Sequence, residues 1–140
     1  MKKSLIIILL AVFSMTAFAE PDSKFDPRQY KSELRTYIVA RAGLTPQEAS
    51  KFFKLFDEMK EKQRCYYKKI GQYMNGRPMS EKDCLRAIKE RDRLDIEIKH
   101  LQQTYDTKFL KVVPATKLLE IFKAEEEFNR TAFKKMSRTR

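Results

Sequence analysis

The chain predicts an all-α fold, a long antiparallel helical hairpin with short flanking helices, and three observations carry that expectation. Apolar residues recur at spacings of three and four through most of its length. Glycine is confined to Gly43, Gly71 and Gly76, and three of the prolines fall where helices would start. No alternating apolar/polar run bounded by turns suggests a strand.

Residues 1–19 are expected to be a secretory signal peptide. Lys2 and Lys3 precede an uninterrupted apolar run from Leu5 to Phe13, and Ala17-Phe18-Ala19 supplies the small-x-small cleavage pattern. The run is too short to span a bilayer, which takes about 20 residues. Residues 20–140 then form one helical domain, with export to the periplasm as the expected location.

The first helix starts at Asp26-Pro27, a capping carboxylate followed by proline where a missing N–H is harmless. Tyr30, Leu34, Tyr37 and Ile38 keep helical spacing up to Gly43, a natural left-handed stop. Thr45-Pro46-Gln47-Glu48 combines a capping box with a leading proline, and opens a second helix running to about Met74. Its stripe is Ala49, Phe52, Phe56, Met59, Gln63, Tyr66, Ile70 and Tyr73. At ~1.5 Å per residue such a rod is on the order of 40 Å long. Asn75-Gly76-Arg77-Pro78 is turn chemistry. Ser80 with Asp83 caps a third helix, expected to reach about Val113, with Leu94, Ile98, Leu101, Tyr105, Phe109 and Val112 on one side. Pro114 breaks or bends it, and Leu118, Ile121, Phe122, Phe128, Ala132 and Phe133 continue the periodicity. A thin hairpin has little core for its surface. Phe53 and Tyr67, off the main stripes, are therefore expected to form an exposed apolar surface.

Lys and Arg number 30 against 19 acids, a net charge of +11; without Lys2 and Lys3 the balance is 28 to 19, or +9. Outside the cytoplasm such a balance points to acidic proteins or lipid head groups rather than nucleic acid. The stretch after Phe128, with Arg130, Lys134, Lys135, Arg138 and Arg140, lacks any acid.

Leu44-Thr45-Pro46-Gln47-Glu48 resembles the Leu-Thr-x-x-Gln signature of the small periplasmic Spy/CpxP-like (LTxxQ-motif) proteins, with Glu48 standing in place of glutamine. A second copy would fall at Val113-Pro114-Ala115-Thr116-Lys117, which keeps only its position and helix-starting role. The stretches 25–64 and 111–136 are also similar to exported members from Bacteroidetes-type bacteria. The resemblance implies an ATP-independent chaperone: a cradle-like homodimer of bent hairpins with a basic, partly apolar concave face for unfolded or acidic clients. On that expectation the client surface comprises Lys51, Phe53, Lys54, Arg64, Tyr67, Arg86 and Arg93. The resemblance leaves room for a CpxP-like regulator docking on a sensor protein, and for a heavy-metal-responsive sensor. A peripheral contact with the cell envelope is also expected.

Catalytic chemistry has little support. His100 is the single histidine, and Glu125-Glu126-Glu127 wraps around a helix instead of converging. Neither a cofactor nor a metal is expected: His100, Cys65, Cys84, Met59, Met74, Met79 and Met136 contain no ligand pair at short helical spacing. Two cysteines in an oxidising compartment favour a disulfide. A hairpin turning near residue 77 sets Cys65 level with about residue 89, which leaves Cys84 some ~7 Å away along the axis. An intrachain Cys65–Cys84 bridge is placed first, unpaired thiols second and an interchain link third.

Overall fold

The first three helices begin at the caps Asp26, Thr45 and Ser80 that the sequence provides. The computed structural model describes residues 25–76 and 80–138, in four α-helices: α1 (Pro27–Ala42), α2 (Pro46–Met74), α3 (Glu81–Phe109) and α4 (Ala115–Arg138). The signal-peptide reading of residues 1–19 lies outside the described residues, as do Met79 and Arg140. No strand occurs among the described residues, so the protein is all-α. Asp26 accepts the Arg28 and Gln29 N–H groups at 2.9 and 3.4 Å, satisfying donors that the first turn leaves without partners. Gly43 ends α1 at φ 62°, a left-handed conformation that a Cβ would strain. The Thr45 hydroxyl accepts from Glu48 N–H (3.2 Å) while the Glu48 carboxylate accepts from Thr45 N–H (3.1 Å), a complete capping box worth about 1 kcal/mol. Ser80 does the same service for Asp83 N–H at 3.2 Å.

Two expectations are corrected. α3 stops at Phe109, four residues before Val113. A residue preceding proline is pushed out of the helical region, so Pro114 acts backwards on Val113, and the chain tightens through Lys111 N–H to Lys108 C=O (3.1 Å). The flanking helices are not both short. α4 has 24 residues against 29 for each hairpin arm, because neither glycine nor proline interrupts the chain from Ala115 to Arg138.

α2 pairs with α3 and α1 with α4, and the two pairs share one core. Phe52, on α2, lies at its centre with no exposed surface. Its ring centroid is 4.8 Å from Phe109, 5.1 Å from Phe53 and 5.5 Å from Phe56. Ile38 from α1 and Ile121 from α4 are equally inaccessible and belong to the same cluster. Ion pairs tie the helix pairs at this level: Arg35 and Lys31 to Asp57, Lys117 to Glu48 (2.7 Å) and Lys60 to Glu125 (2.5 Å). The core is therefore concentrated at one end of the molecule. In the far half of the hairpin, Gln63, Ala87 and Leu94 are the buried side chains among the described residues, and none belongs to the main cluster.

The register of the hairpin also corrects the cysteine geometry. Phe52 meets Phe109, and Gln63 Nε2 donates to Gln102 Oε1 at 3.4 Å. On the Phe52–Phe109 register Cys65 stands level with α3 about a dozen residues beyond Cys84, roughly 18 Å along the axis at ~1.5 Å per residue. A disulfide needs Cα atoms within about 7 Å. No bond joins the two sulfurs: Cys65 is exposed on α2 and Cys84 half-buried on α3. The expected intrachain bridge fails because the Phe52–Phe109 register slides the two cysteines further apart along the arms than a disulfide can span.

Candidate binding surface

The heptad pattern of the hairpin shows which face the core covers and where that cover ends. On α2, Phe52, Phe56, Met59, Gln63, Tyr66, Ile70 and Tyr73 alternate steps of four and three, the seam facing α3. One residue past every second seam position lie Phe53, Lys60, Tyr67 and Met74, each seven from the last. The first two of this flank are covered. Phe53 is 7% exposed with the Arg35 guanidinium 5.1 Å over its ring, and Lys60 reaches Glu125 of α4. The next two are open, Tyr67 at 56% and Met74 at 50%.

α3 repeats the pattern. Lys99, Gln102, Asp106 and Phe109 line a cleft of about 250 Å³ with Ile121, Phe122 and Glu125 of α4. Two heptads earlier on the same face stand Leu85, Ile88, Asp92 and Asp95. Leu85 is 51% exposed and Ile88 47%. The face that α1 and α4 cover at one end of the hairpin thus runs on uncovered at the other, carrying Tyr67, Met74, Leu85 and Ile88. Exposed apolar side chains grouped on one face mark interaction sites more often than scattered ones do.

Phe53 was expected at an exposed surface, and the structure places it in the core. Its position off the seam is real, but α1 lies on that flank and buries it. Arg64 and Tyr67, one turn apart, do share the open face. Lys51 and Lys54 are exposed but step by two heptads to Cys65 and Lys68, on the outward side of α2. Arg86 and Arg93 are exposed on one line of α3, and Glu90 holds Arg93 through an ion pair at 2.9 Å that raises its affinity for the proton. Met74, Leu85 and Ile88 were missed as a group. The seven-residue step from Phe53 and the fourteen-residue steps back from Lys99 and Gln102 would have found them.

Charge distinguishes the two sides of this arm. From Lys62 to Ser80 there is no acid, while Lys62, Arg64, Lys68, Lys69 and Arg77 are basic. α3 alternates both signs between Glu81 and Lys99. The α2 side is thus the attractive one for a negative partner.

The motif residues do structural work elsewhere. Leu44 and Val113 are buried at 7% and 3% in the shared core, and the Lys117 ammonium donates to the Glu48 carboxylate. The two helix starts are thereby clamped together. The Lys117 hydrogen bond, and after it the Thr45 N–H, hold the Glu48 carboxyl below its ordinary value of 4.5. A depressed carboxyl contributes stability that is complete above the unfolded value and disappears as pH falls through the folded one. Glu48→Gln, which keeps an acceptor for the capping box, is expected to melt below wild type at pH 7. The gap should close as pH drops below about 4.5. Melting curves from pH 7 to 3 check this, and a gap constant with pH contradicts it; Glu120, similarly lowered by Lys123, is common to both proteins and cancels.

Among the described residues no group of three or more His, Cys, Asp or Glu side chains is placed to hold a metal ion. His100 is exposed on α3. No described helix is long and apolar enough to cross a membrane. Comparison with known protein families, with curated proteins and with solved structures finds no match.

Proposed function

We propose that this is an exported, ATP-independent protein-binding chaperone that holds unfolded or acidic clients on the open face of the hairpin arm. The observation that carries this reading is the uncovered continuation of the α1/α4-packing face, where Tyr67, Met74, Leu85 and Ile88 are each about half exposed beside the acid-free side of α2. Positive charge raises the encounter rate with an acidic chain, and the apolar side chains then hold it without demanding one structure. Such a surface needs neither nucleotide nor catalytic group. Export rests on residues 1–19 and places the client in the periplasm. Pairing of two copies, which the resemblance implies, has to leave this face open for the reading to hold.

The test is suppression of aggregation of an acidic reduced protein by near-stoichiometric amounts of the exported chain. Suppression is expected at low ionic strength and should weaken strongly by about 0.5 M salt, where the screening length is well below the ~10 Å of 0.1 M. No suppression at low salt removes the proposal. Saturable binding of one folded partner, without suppression, would favour the regulator instead.

A further inference from the structure

We infer that the last turns of α4 are a docking surface for an anionic phospholipid bilayer, on which the helix end lies flat. The inference is independent of the client reading, since it uses the last turns of α4 and none of the hairpin-arm residues Tyr67, Met74, Leu85 and Ile88.

Tyr30 hydrogen-bonds Asn129 and its ring lies 5.6 Å from Phe128, which fixes where α1 stops beside α4. α1 begins at Pro27, so α4 beyond about residue 132 has no α1 alongside it, and every residue from Phe133 to Arg138 is exposed. Phe133, at 69%, is the most exposed of the large hydrophobic side chains described. At ~100° per residue, Ala132, Phe133 and Met136 fall within one arc of about 100°, and Arg130, Lys134 and Arg138 lie across the helix from it. No acid follows Glu127 in the sequence, so the segment is a run of cations; among the described residues of that run, Arg130 alone has an ion pair to a carboxylate on its own helix, Glu126 at 3.0 Å.

Charge complementarity selects the occupant. A basic amphipathic helix end with a projecting aromatic ring is the arrangement that sits at the head-group level of a negative bilayer, ring inserted and cations on phosphodiesters. This end of α4 overhangs with no second described helix beside it to form a groove, so it offers no shape for a folded protein, whereas a fluid surface needs none. Lying on the bilayer is also the arrangement open to it, because no described helix can span one.

The chain contains no tryptophan, so Phe133→Trp introduces a single selective fluorophore at an exposed site. The exported chain carrying it, its first residue fixed by mass spectrometry, is titrated with vesicles of phosphatidylglycerol and phosphatidylcholine (about 3:7, enough negative charge to attract a basic segment) and of phosphatidylcholine alone. A blue shift and quenching by brominated lipid are expected with the anionic vesicles at low salt, and neither with the neutral ones. Adding Lys134→Glu, Lys135→Glu and Arg138→Glu is expected to weaken binding at least about ten-fold, because each removes a cation from the anionic surface, with the chain still folded by circular dichroism. Equal binding to both vesicles, an undiminished triple variant, or no binding to vesicles while an acidic protein shifts the emission of the introduced indole would each overturn the inference. So would a Tyr67→Trp reporter that responds to vesicles when the Phe133→Trp one does not, because the hairpin arm would then be the lipid contact.

Discussion

Phe52→Ala is expected to destabilise the protein by about 3–5 kcal/mol, the range for removing a fully buried phenylalanine from a packed core. Phe52 is inaccessible and touches three other rings, two on its own helix and one on α3, in a cluster that α1 and α4 complete. The surrounding cluster is apolar, and the four helices meet only in this region, so the cavity cannot close by sliding one helix. Since natural domains hold only about 5–15 kcal/mol in all, and a thin hairpin sits low in that range, the variant should be largely unfolded near 37 °C. Thermal and urea unfolding followed by circular dichroism measure it. A loss below about 1 kcal/mol would show that the rings are loosely packed and that the shared core does not hold the helix pairs together.

What could be read from the sequence, and what could not, divides along the same line between local and distant interactions. Asp26, Thr45 and Ser80 cap their helices with groups two to three residues away, and Pro27 and Pro46 act on their own turn, so helix starts follow from a few neighbouring letters. The end of α3 did not, because Pro114 constrains a residue that still fits the apolar stripe. Phe53 was misplaced for a different reason. Periodicity identifies the seam between two helices, but which flank is buried depends on a helix that begins at Pro27 and packs against Asp57 through Arg35 and Lys31. The cysteine register failed because the alignment of the two arms is decided where Phe52 meets Phe109, across more than fifty residues of chain, and not by the residues that join the arms. The open face was nevertheless present in the letters. Phe53, Lys60, Tyr67 and Met74 repeat every seven, and knowing that the first two are covered is all that is needed to ask why the last two are not.

Replacing Tyr67, Met74, Leu85 and Ile88 together by glutamine is expected to reduce client capture by at least about ten-fold while leaving the fold intact. Each side chain has about half its surface exposed, so a client can bury enough of each to contribute roughly 1 kcal/mol at ~25 cal/mol per Å². Four such contacts amount to ~4 kcal/mol, on the order of a thousand-fold in affinity before ordering of the client is deducted. Glutamine keeps helix propensity and charge, so long-range attraction to an acidic client is unchanged and the loss should appear in dissociation. Arg64→Gln with Lys68→Gln should do the reverse, slowing association at low salt and leaving dissociation nearly as it was. The melting temperature of the quadruple variant should fall far less than that of Phe52→Ala, since none of the four belongs to the main core. Stopped-flow binding of a labelled unfolded client, with sedimentation of each variant, checks all of this. Capture equal to wild type would rule out this face. A quadruple variant that instead changes from dimer to monomer would show that a second copy, and not a client, covers Tyr67 and its neighbours.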